Sequence, residues 1–167
     1  NGKPLVAHVI GQIKTLFSSV CIISGDERYD ALNQRRIEDA TPHLGPAGGI
    51  LAALQDCNTA KALLCTCDMP FINSPLLHAM ISKTAEEDIL LPGNEQIWHP
   101  FPAIYSPSIA DRWAKEMDKG RYALKHMHKM FQVKMLNLQE THLVKSSTFF
   151  NINTPEELAQ AEGLMKL

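Results

Sequence analysis

The spacing of apolar residues changes repeatedly along this chain, and each spacing predicts an element. Between Leu5 and Phe17 apolar residues recur every three or four positions, which is the period of an amphipathic helix. The short β-branched run at 20–24 and the longer apolar run at 62–67 are typical of strands. Because the second run does not alternate with polar residues, it fits a strand covered on both faces, as in a parallel sheet.

The rest of the chain continues this alternation of strands and helices. Further strands are predicted, in chain order, at 36–38, 88–91, 100–105, 132–138 and 148–152. Further helices are predicted at 50–56, 74–83, 108–119 and 122–130. Thr154 and Glu157 form a capping box that starts a final helix, which is expected to end near Met165. This order predicts one α/β domain over residues 1–167, a three-layer α/β/α sandwich around a mostly parallel sheet.

Composition narrows the class of protein. The 167 residues are 45% hydrophobic and 20% charged, as in ordinary globular domains. A formal net charge of −2 argues against broad nucleic-acid binding, which needs surplus Lys and Arg. No apolar run approaches the roughly 20 residues that a membrane-spanning helix needs. We therefore expect a cytoplasmic protein that binds neither nucleic acid nor membrane.

The cysteines give no signal of a structural metal site or a disulfide. Cys65 and Cys67 alternate inside an apolar run, which favours small buried side chains. No paired C-x-x-C spacing is present, so zinc binding is not indicated.

Asp68 is the first candidate for chemistry. It follows the apolar run at 62–67 directly, and ligands of open α/β sheets bind beyond the carboxyl ends of the strands. A carboxylate there suits Mg²⁺, which prefers one or two protein carboxylates completed by substrate phosphates and water. The alternative is that Asp68 only caps the segment that follows. The abrupt change from an apolar strand to an acid favours the metal ligand.

The glycine-rich stretch 45–49 is the second candidate. Its glycines allow close approach of the backbone to a ligand, and a helix that starts there presents free N–H groups. Alone, Gly45 and Pro46 are equally compatible with a simple turn before a helix. Asp39 lies a few residues earlier, and it either accepts hydrogen bonds from a base or ribose or only ends a strand.

Two asparagines near the C-terminal end form the third candidate. Alternation in an extended segment would place Asn151 and Asn153 on the same side. Two adjacent amides can recognise the donors and acceptors of a polar heterocycle. The alternative is that Asn153 only prepares the cap of the last helix. Among the histidines, His99 is retained as a candidate because it precedes Pro100 at the start of a predicted strand.

These residues together resemble the molybdenum cofactor guanylyltransferases, the MobA family of the nucleotide-diphosphosugar transferase-like fold. The resemblance extends nearly from end to end. Its motifs are Gly2-Lys3-Pro4-Leu5, Ile37-Glu38-Asp39, Gly45-Pro46-Ala47-Gly48-Gly49, Cys67-Asp68-Met69-Pro70, His99-Pro100, Gly120-Arg121 and Asn151-Ile152-Asn153-Thr154-Pro155-Glu156. The Cys-Asp-x-Pro and Asn-x-Asn-Thr-Pro-Glu motifs in this order are fairly specific to that family.

The resemblance implies a Rossmann-like nucleotidyltransferase that moves GMP from GTP to the phosphate of molybdopterin or the molybdenum cofactor and releases pyrophosphate. It implies that Asp68 binds Mg²⁺ and that Asp39, Gly45 and Pro46 hold the guanosine. Asn151 and Asn153 would line the pterin side, with His99 near the same pocket. Molybdenum insertion proteins and apo-molybdoenzymes are the further partners that such an enzyme would serve.

Members of that family open with a strand and a glycine-rich loop of the Leu-Ala-Gly-Gly type, followed by Arg and Lys that neutralise the triphosphate. The sequence begins just after the point where this loop would end, so we expect the domain to be N-terminally incomplete. Two alternatives stay open at this point. One is a cytidylyltransferase of the same superfamily, and the other is a non-catalytic protein that binds and delivers the pterin nucleotide.

Overall fold

The computed structural model describes residues 3–39, 41–94, 96–138 and 144–164, apart from the side chain of Pro42. The strands in these residues are β1 (Cys21–Ile23), β2 (Arg35–Ile37), β3 (Ala62–Leu64), β4 (Ile89–Pro92), β5 (Ala103–Tyr105) and β6 (Val133–Leu136). The α-helices are α1 (Leu5–Ile13), α2 (Pro46–Asp56), α3 (Ser74–Lys83), α4 (Ala110–Asp118), α5 (Leu124–His128) and α6 (Pro155–Leu164). Short 3-10 helices lie at Glu27–Leu32, Pro42–Leu44 and Pro107–Ile109.

The strands form two sheets within the described residues. β1 and β2 pair in parallel, while the other sheet has the order β3-β5-β4-β6. β5 pairs antiparallel with both β3 and β4, and β4 pairs parallel with β6. It follows that β3, β4 and β6 run in one direction and that β5 runs against them. The α/β fold with a mostly parallel sheet is confirmed, with β5 as the reversed strand that makes the sheet mixed.

Alternate residues of the central strands enter two different cores. Ile89 and Leu91 of β4 belong to a cluster that contains residues of α2 and α4. Leu90, between them, packs in a second cluster with Leu76 and Met80 of α3. Because successive side chains of a strand point to opposite faces, the sheet is covered by helices on both faces. This is the three-layer arrangement expected from the uninterrupted apolar runs.

Two sequence predictions are wrong. The segment 148–152 is not a strand: it begins in a turn, in which the N–H of Phe150 donates to the carbonyl of Ser147 over 2.9 Å. Its aromatic and β-branched side chains are held by tertiary contacts instead of by a ladder of backbone hydrogen bonds. Cys67 is exposed, unlike Cys65, because β3 ends at Leu64 and the alternation stops there. The predicted end of the last helix at Met165 lies outside the described residues.

None of the helices in the described part of the chain is both long and apolar enough to span a bilayer.

Candidate functional site: the end of β3 and the start of α2

Asp68 lies in a turn beyond the carboxyl end of β3. Cys65, just past the strand, packs against the main core, and burial raises the pKa of its thiol to about 12. The chain then turns at Cys67 and Asp68. The N–H of Ile152 donates to the carbonyl oxygen of Asp68 over 2.9 Å, so the segment before α6 lies directly beside this turn. Asn151, the residue before Ile152, therefore lies on a segment that is hydrogen-bonded to the turn at Asp68.

Three buried oxygen atoms on these two segments have no hydrogen-bond partner within the protein. They are Thr66 Oγ1, Asp68 Oδ1 and Asn151 Oδ1; His128 Nδ1 shares this property elsewhere in the described chain. Most buried polar atoms in native proteins are hydrogen-bonded, and leaving one unpaired costs about 1–3 kcal/mol. Such atoms on two segments that a backbone hydrogen bond joins are candidates for partners that a ligand supplies.

The chemistry of these atoms fits a hard cation. A carboxylate, an amide oxygen and a hydroxyl are the oxygen donors that Mg²⁺ accepts, and Mg²⁺ completes its shell with water and substrate phosphates. No group of three or more His, Cys, Asp or Glu side chains in the described residues could hold a metal ion. That observation argues against a self-sufficient protein cage there and is compatible with an ion that a phosphate ligand shares.

The start of α2 is shaped by close contact with the preceding loop. Asp39 Oδ1 accepts hydrogen bonds from the N–H of Thr41 at 2.9 Å and from its hydroxyl at 3.4 Å. A Cβ atom on Gly48 would lie 2.4 Å from Thr41 Oγ1, 2.7 Å from the Thr41 carbonyl oxygen and 3.1 Å from Asp39 Oδ1. Glycine is therefore required at 48, since this loop rests on the backbone of the helix. Asp39 and the stretch 45–49 thus lie close together in the fold.

A glycine and a proline form the start of α2. Gly45 adopts φ 63° and ψ −153°, a conformation that favours glycine, and Pro46 follows at the first helical position. No side chain caps this helix. The N-terminal N–H groups of a helix and its dipole attract anionic groups. Gly45 and Pro46 consequently end the loop and start the helix, and the N–H of Gly48 donates to the Gly45 carbonyl over 3.3 Å.

The two asparagines do not share one environment. Asn151 is partly buried and keeps Oδ1 unpaired, whereas Asn153 is exposed. The N–H groups of Asn153 and Thr154 both donate to Glu157 Oε2, at 2.6 and 3.0 Å, and the N–H of Glu157 donates to Thr154 Oγ1 at 3.2 Å. Asn153 thus participates in the capping box through its backbone, and only Asn151 presents a buried amide oxygen beside Asp68.

His99 lies against the segment that carries Asn151. Its ring stacks on Phe149 with centroids 3.7 Å apart and planes 4° apart, and its N–H donates to the Pro92 carbonyl over 2.9 Å. Burial lowers the pKa of His99 because the charged imidazole loses hydration. The neutral ring and Phe149 together form a flat aromatic pair two residues from Asn151.

A cleft of about 400 Å³ is lined by residues of the same two segments. Phe71 and Asn73 follow Asp68, Ser147 and Thr148 precede Asn151, and Lys145 and Leu164 complete the lining. The edge of Phe71 contacts the ring of Phe150, with centroids 6.3 Å apart. The volume is within the range of small-molecule sites, and the lining combines apolar and polar groups.

Sequence reasoning missed Thr41, Thr66 and Phe149. Thr41 was overlooked because its contact with Gly48 depends on how the loop folds over α2. Thr66 lies within an apolar run, and only its position directly before the Cys-Asp-x-Pro motif could have identified it. Phe149 was assigned to a strand that does not form.

Comparison with known proteins gives a consistent family. The family description "MobA-like NTP transferase domain" matches residues 1–133. A probable molybdenum cofactor guanylyltransferase of Flavobacterium johnsoniae is 34% identical over 161 residues, which cover 93% of this chain and 81% of that protein. The molybdenum cofactor guanylyltransferase of Desulfosudis oleivorans is 24% identical over 170 residues, which cover 99% and 84% of the two chains.

Solved structures agree in fold. The molybdopterin-guanine dinucleotide biosynthesis protein A of Archaeoglobus fulgidus superposes with a TM-score of 0.81 at 24% identity, covering 99% of this chain and 87% of that one. The 2-C-methyl-D-erythritol 4-phosphate cytidylyltransferase of Thermus thermophilus gives a TM-score of 0.76 at 14% identity, covering 100% and 91%. At these identities the two structures establish a shared nucleotidyltransferase fold and nothing finer.

Proposed function

The chain belongs to the family of the MobA-like NTP transferase domain, and from this membership we infer that it transfers GMP from GTP to the terminal phosphate of molybdopterin. The product is the guanine dinucleotide form of the cofactor, and pyrophosphate is released. The observation that ties this reaction to a site is the buried, unpaired Oδ1 of Asp68 at the end of β3. This unpaired oxygen supports the proposal that Asp68 binds the ion that nucleotidyl transfer needs.

The reaction is a substitution at the α-phosphorus of GTP. A phosphate oxygen of molybdopterin forms the new P–O bond while the bond to the β-phosphate breaks, with the attacking and leaving oxygens roughly in line. No covalent intermediate with the protein is required. Catalysis of this kind depends on positioning the two substrates and on stabilising negative charge.

Asp68 is proposed to hold Mg²⁺ together with the amide oxygen of Asn151. When bound, the ion would neutralise charge on phosphate oxygens that develops as pyrophosphate departs. Two features of the described residues support this: the oxygens of Asp68 and Asn151 are buried without partners, and they lie on segments joined through the Ile152 N–H. The protein contributes few ligands, which is the usual arrangement where substrate phosphates complete the shell.

The start of α2 is proposed to hold the guanosine. The carboxylate of Asp39 accepts hydrogen bonds, so it suits the N–H groups of a base or the hydroxyls of a ribose. Gly45 and Pro46 bring the backbone of α2 close to this acid, because the loop packs against Gly48. The positive end of the α2 dipole favours a neighbouring phosphate.

The acceptor is proposed to bind on the other side of Asp68. Asn151 offers an amide to the polar edge of the pterin, and the stacked rings of His99 and Phe149 offer a flat apolar surface near it. Asn153, which is exposed at the cap of α6, would contribute only from the rim. Lys145 at the neighbouring cleft supplies positive charge for an anionic substrate.

The decisive experiment is Asp68→Asn in the full-length protein, assayed by release of pyrophosphate from GTP in the presence of molybdopterin and Mg²⁺. We expect turnover to fall at least about 100-fold, because the amide is a much weaker ligand for a hard cation. The exposed Asp118→Asn is the matched control and should keep the wild-type rate. A near-normal rate for Asp68→Asn would refute the metal role.

The same assay separates the remaining candidate functions. Replacing GTP with CTP tests for a cytidylyltransferase, which the fold of the Thermus thermophilus structure leaves open. A preference for CTP would contradict guanylyl transfer. A wild-type protein that binds the pterin nucleotide but releases no pyrophosphate from either triphosphate would instead act in delivery.

A further inference from the structure

Thr66 has no role in the family resemblance or in the proposed function, unlike Asp68 and Asn151. Its Oγ1 is buried and has no hydrogen-bond partner in the protein. Among the described threonines, others use this atom locally: Thr59 Oγ1 donates to the carbonyl of Lys61 at 2.9 Å, and Thr148 Oγ1 accepts from the N–H of Lys145 at 3.0 Å. Among the threonines that the structure describes, Thr66 therefore differs in having a buried hydroxyl without a hydrogen-bond partner.

The position of Thr66 places it between the core and the candidate metal ligand. Cys65, the residue before Thr66, packs against the main core, and both residues lie beyond the end of β3 at Leu64. Thr66 therefore belongs to the segment that leads from the core to the turn at Cys67 and Asp68. Asp68 follows two residues later, and its Oδ1, like Thr66 Oγ1, is buried without a hydrogen-bond partner.

A second segment adds the third unpaired oxygen. Asn151 Oδ1 is buried without a partner, and the next residue, Ile152, is hydrogen-bonded through its N–H to the Asp68 carbonyl at 2.9 Å. A valine at position 66 would have nearly the same shape as threonine and no unpaired atom. A buried, unpaired hydroxyl oxygen on the segment that also carries the unpaired Oδ1 of Asp68 is explained if something bound there completes its hydrogen bonds.

We propose that the hydroxyl of Thr66 is a positioning group for the divalent cation at Asp68, hydrogen-bonding a water molecule that the cation carries. The inference rests on the proposed function, because the cation itself is part of that proposal. Mg²⁺ gives up its waters reluctantly and keeps several of them in protein sites. A hydroxyl donates one hydrogen bond and accepts others, so it can hold such a water without replacing it.

The test measures metal binding in the full-length protein without turnover. Mn²⁺ alone serves as the probe, and its free concentration is followed by electron paramagnetic resonance during a titration. Thr66→Val removes the hydroxyl at nearly constant shape, Thr66→Ala removes it without any risk of a clash, and Thr66→Ser keeps it. We expect Val and Ala to raise the Kd for Mn²⁺ about 10-fold or more, and Ser to stay within about 3-fold of wild type.

Urea unfolding without metal distinguishes the positioning role from a purely structural one. If the hydroxyl of Thr66 only stabilised the fold, its removal would lower the free energy of unfolding. Thr66→Val should be at least as stable as wild type, because it removes an unpaired buried hydroxyl. Weaker Mn²⁺ binding by a fully stable variant then supports the positioning role. Thr59→Val, which removes a hydroxyl from an exposed turn, should leave Mn²⁺ binding unchanged.

Failure of this inference is distinguishable from failure of the proposed function. If Asp68→Asn weakens Mn²⁺ binding while Thr66→Val and Thr66→Ala bind like wild type, the role of Thr66 is refuted and the metal role of Asp68 stands. Equal losses in Thr66→Ser and Thr66→Val would also refute it, since the hydroxyl would then not be responsible. If Asp68→Asn itself binds Mn²⁺ normally, the metal site of the proposed function is wrong.

Discussion

The two sides of the candidate site differ in how their polar groups are satisfied. At the start of α2, Asp39 already accepts hydrogen bonds from Thr41, and the loop rests so closely on Gly48 that no Cβ fits. At the end of β3, Asp68 and Asn151 keep buried oxygens without partners. The first side is organised by the protein alone, while the second is completed by what binds there. Substitutions should therefore affect folding on the first side and binding on the second.

The largest effect on stability is expected from Gly48→Ala. The new Cβ would lie 2.4 Å from Thr41 Oγ1 and 2.7 Å from the Thr41 carbonyl, so the loop must shift. We expect the free energy of unfolding to fall by about 1–3 kcal/mol, as for other overpacked sites. Urea denaturation measures this directly, and affinity for GTP should fall with it because the loop carries Asp39.

Gly49→Ala is the matched control for that variant. A Cβ there meets only ordinary contacts, at 3.9 Å from Asp39 Oδ2 and from a methyl group of Ile23. Since alanine is also favoured over glycine inside a helix, by about 0.5–1 kcal/mol, this variant should be as stable as wild type or more so. Equal losses in the two variants would contradict the close contact at Gly48.

A smaller effect on the free energy of unfolding should distinguish Asp39 from Asp68. Asp39→Ala removes the acceptor of the Thr41 N–H, so we expect a loss of about 1–2 kcal/mol in the free energy of unfolding. Asp68→Ala removes a carboxylate whose Oδ1 has no partner, and its stability without metal should stay within about 0.5 kcal/mol of wild type. Metal-free urea denaturation of both variants gives the comparison. A larger loss in Asp68→Ala would mean that the end of β3 is also organised by the protein alone.

The strand that leads to Asp68 was predicted correctly from the sequence, whereas the segment at 148–152 that packs beside it was not. An apolar run that ends in an acid identifies a strand end, because burial on both faces leaves a local pattern in the chain. The strand appears as β3, shorter than the run, and Asp68 lies just beyond it. The predicted strand at 148–152 failed because aromatic and β-branched residues favour strands only when a neighbouring strand is available to pair with them. In the fold, Ile152 instead meets the turn at Asp68.

The contacts that define the other side could not be predicted from one sequence. A glycine cluster before a helix predicts a turn and a helix start, and both are present at Gly45 and Pro46. The packing requires a glycine at position 48 because the loop passes there at Thr41. Local spacing in the sequence does not determine the path of that loop. The stack of His99 on Phe149 likewise joins positions 50 residues apart in sequence. Motifs identified the participating segments, and tertiary structure decided which atoms meet.

The smallest effect on stability is expected at His99, whose ring stacks on Phe149. Burial lowers the pKa of its ring in the folded protein, while the unfolded chain should protonate it near the ordinary value of about 6.5. The stability that neutral His99 contributes is therefore complete above pH ~6.5 and is lost as the pH falls from there through the folded pKa. His99→Phe keeps a ring to stack on Phe149 and removes this dependence. Its free energy of unfolding should accordingly fall less than that of wild type between pH ~7.5 and ~5.5, as measured by urea denaturation.

His128 remains in both proteins with its pKa lowered by burial to about 4, so its contribution cancels in the difference. The exposed His126→Phe should show the wild-type dependence. Identical pH profiles for His99→Phe and wild type would mean that the stacked imidazole is as well hydrated in the folded protein as in the unfolded chain.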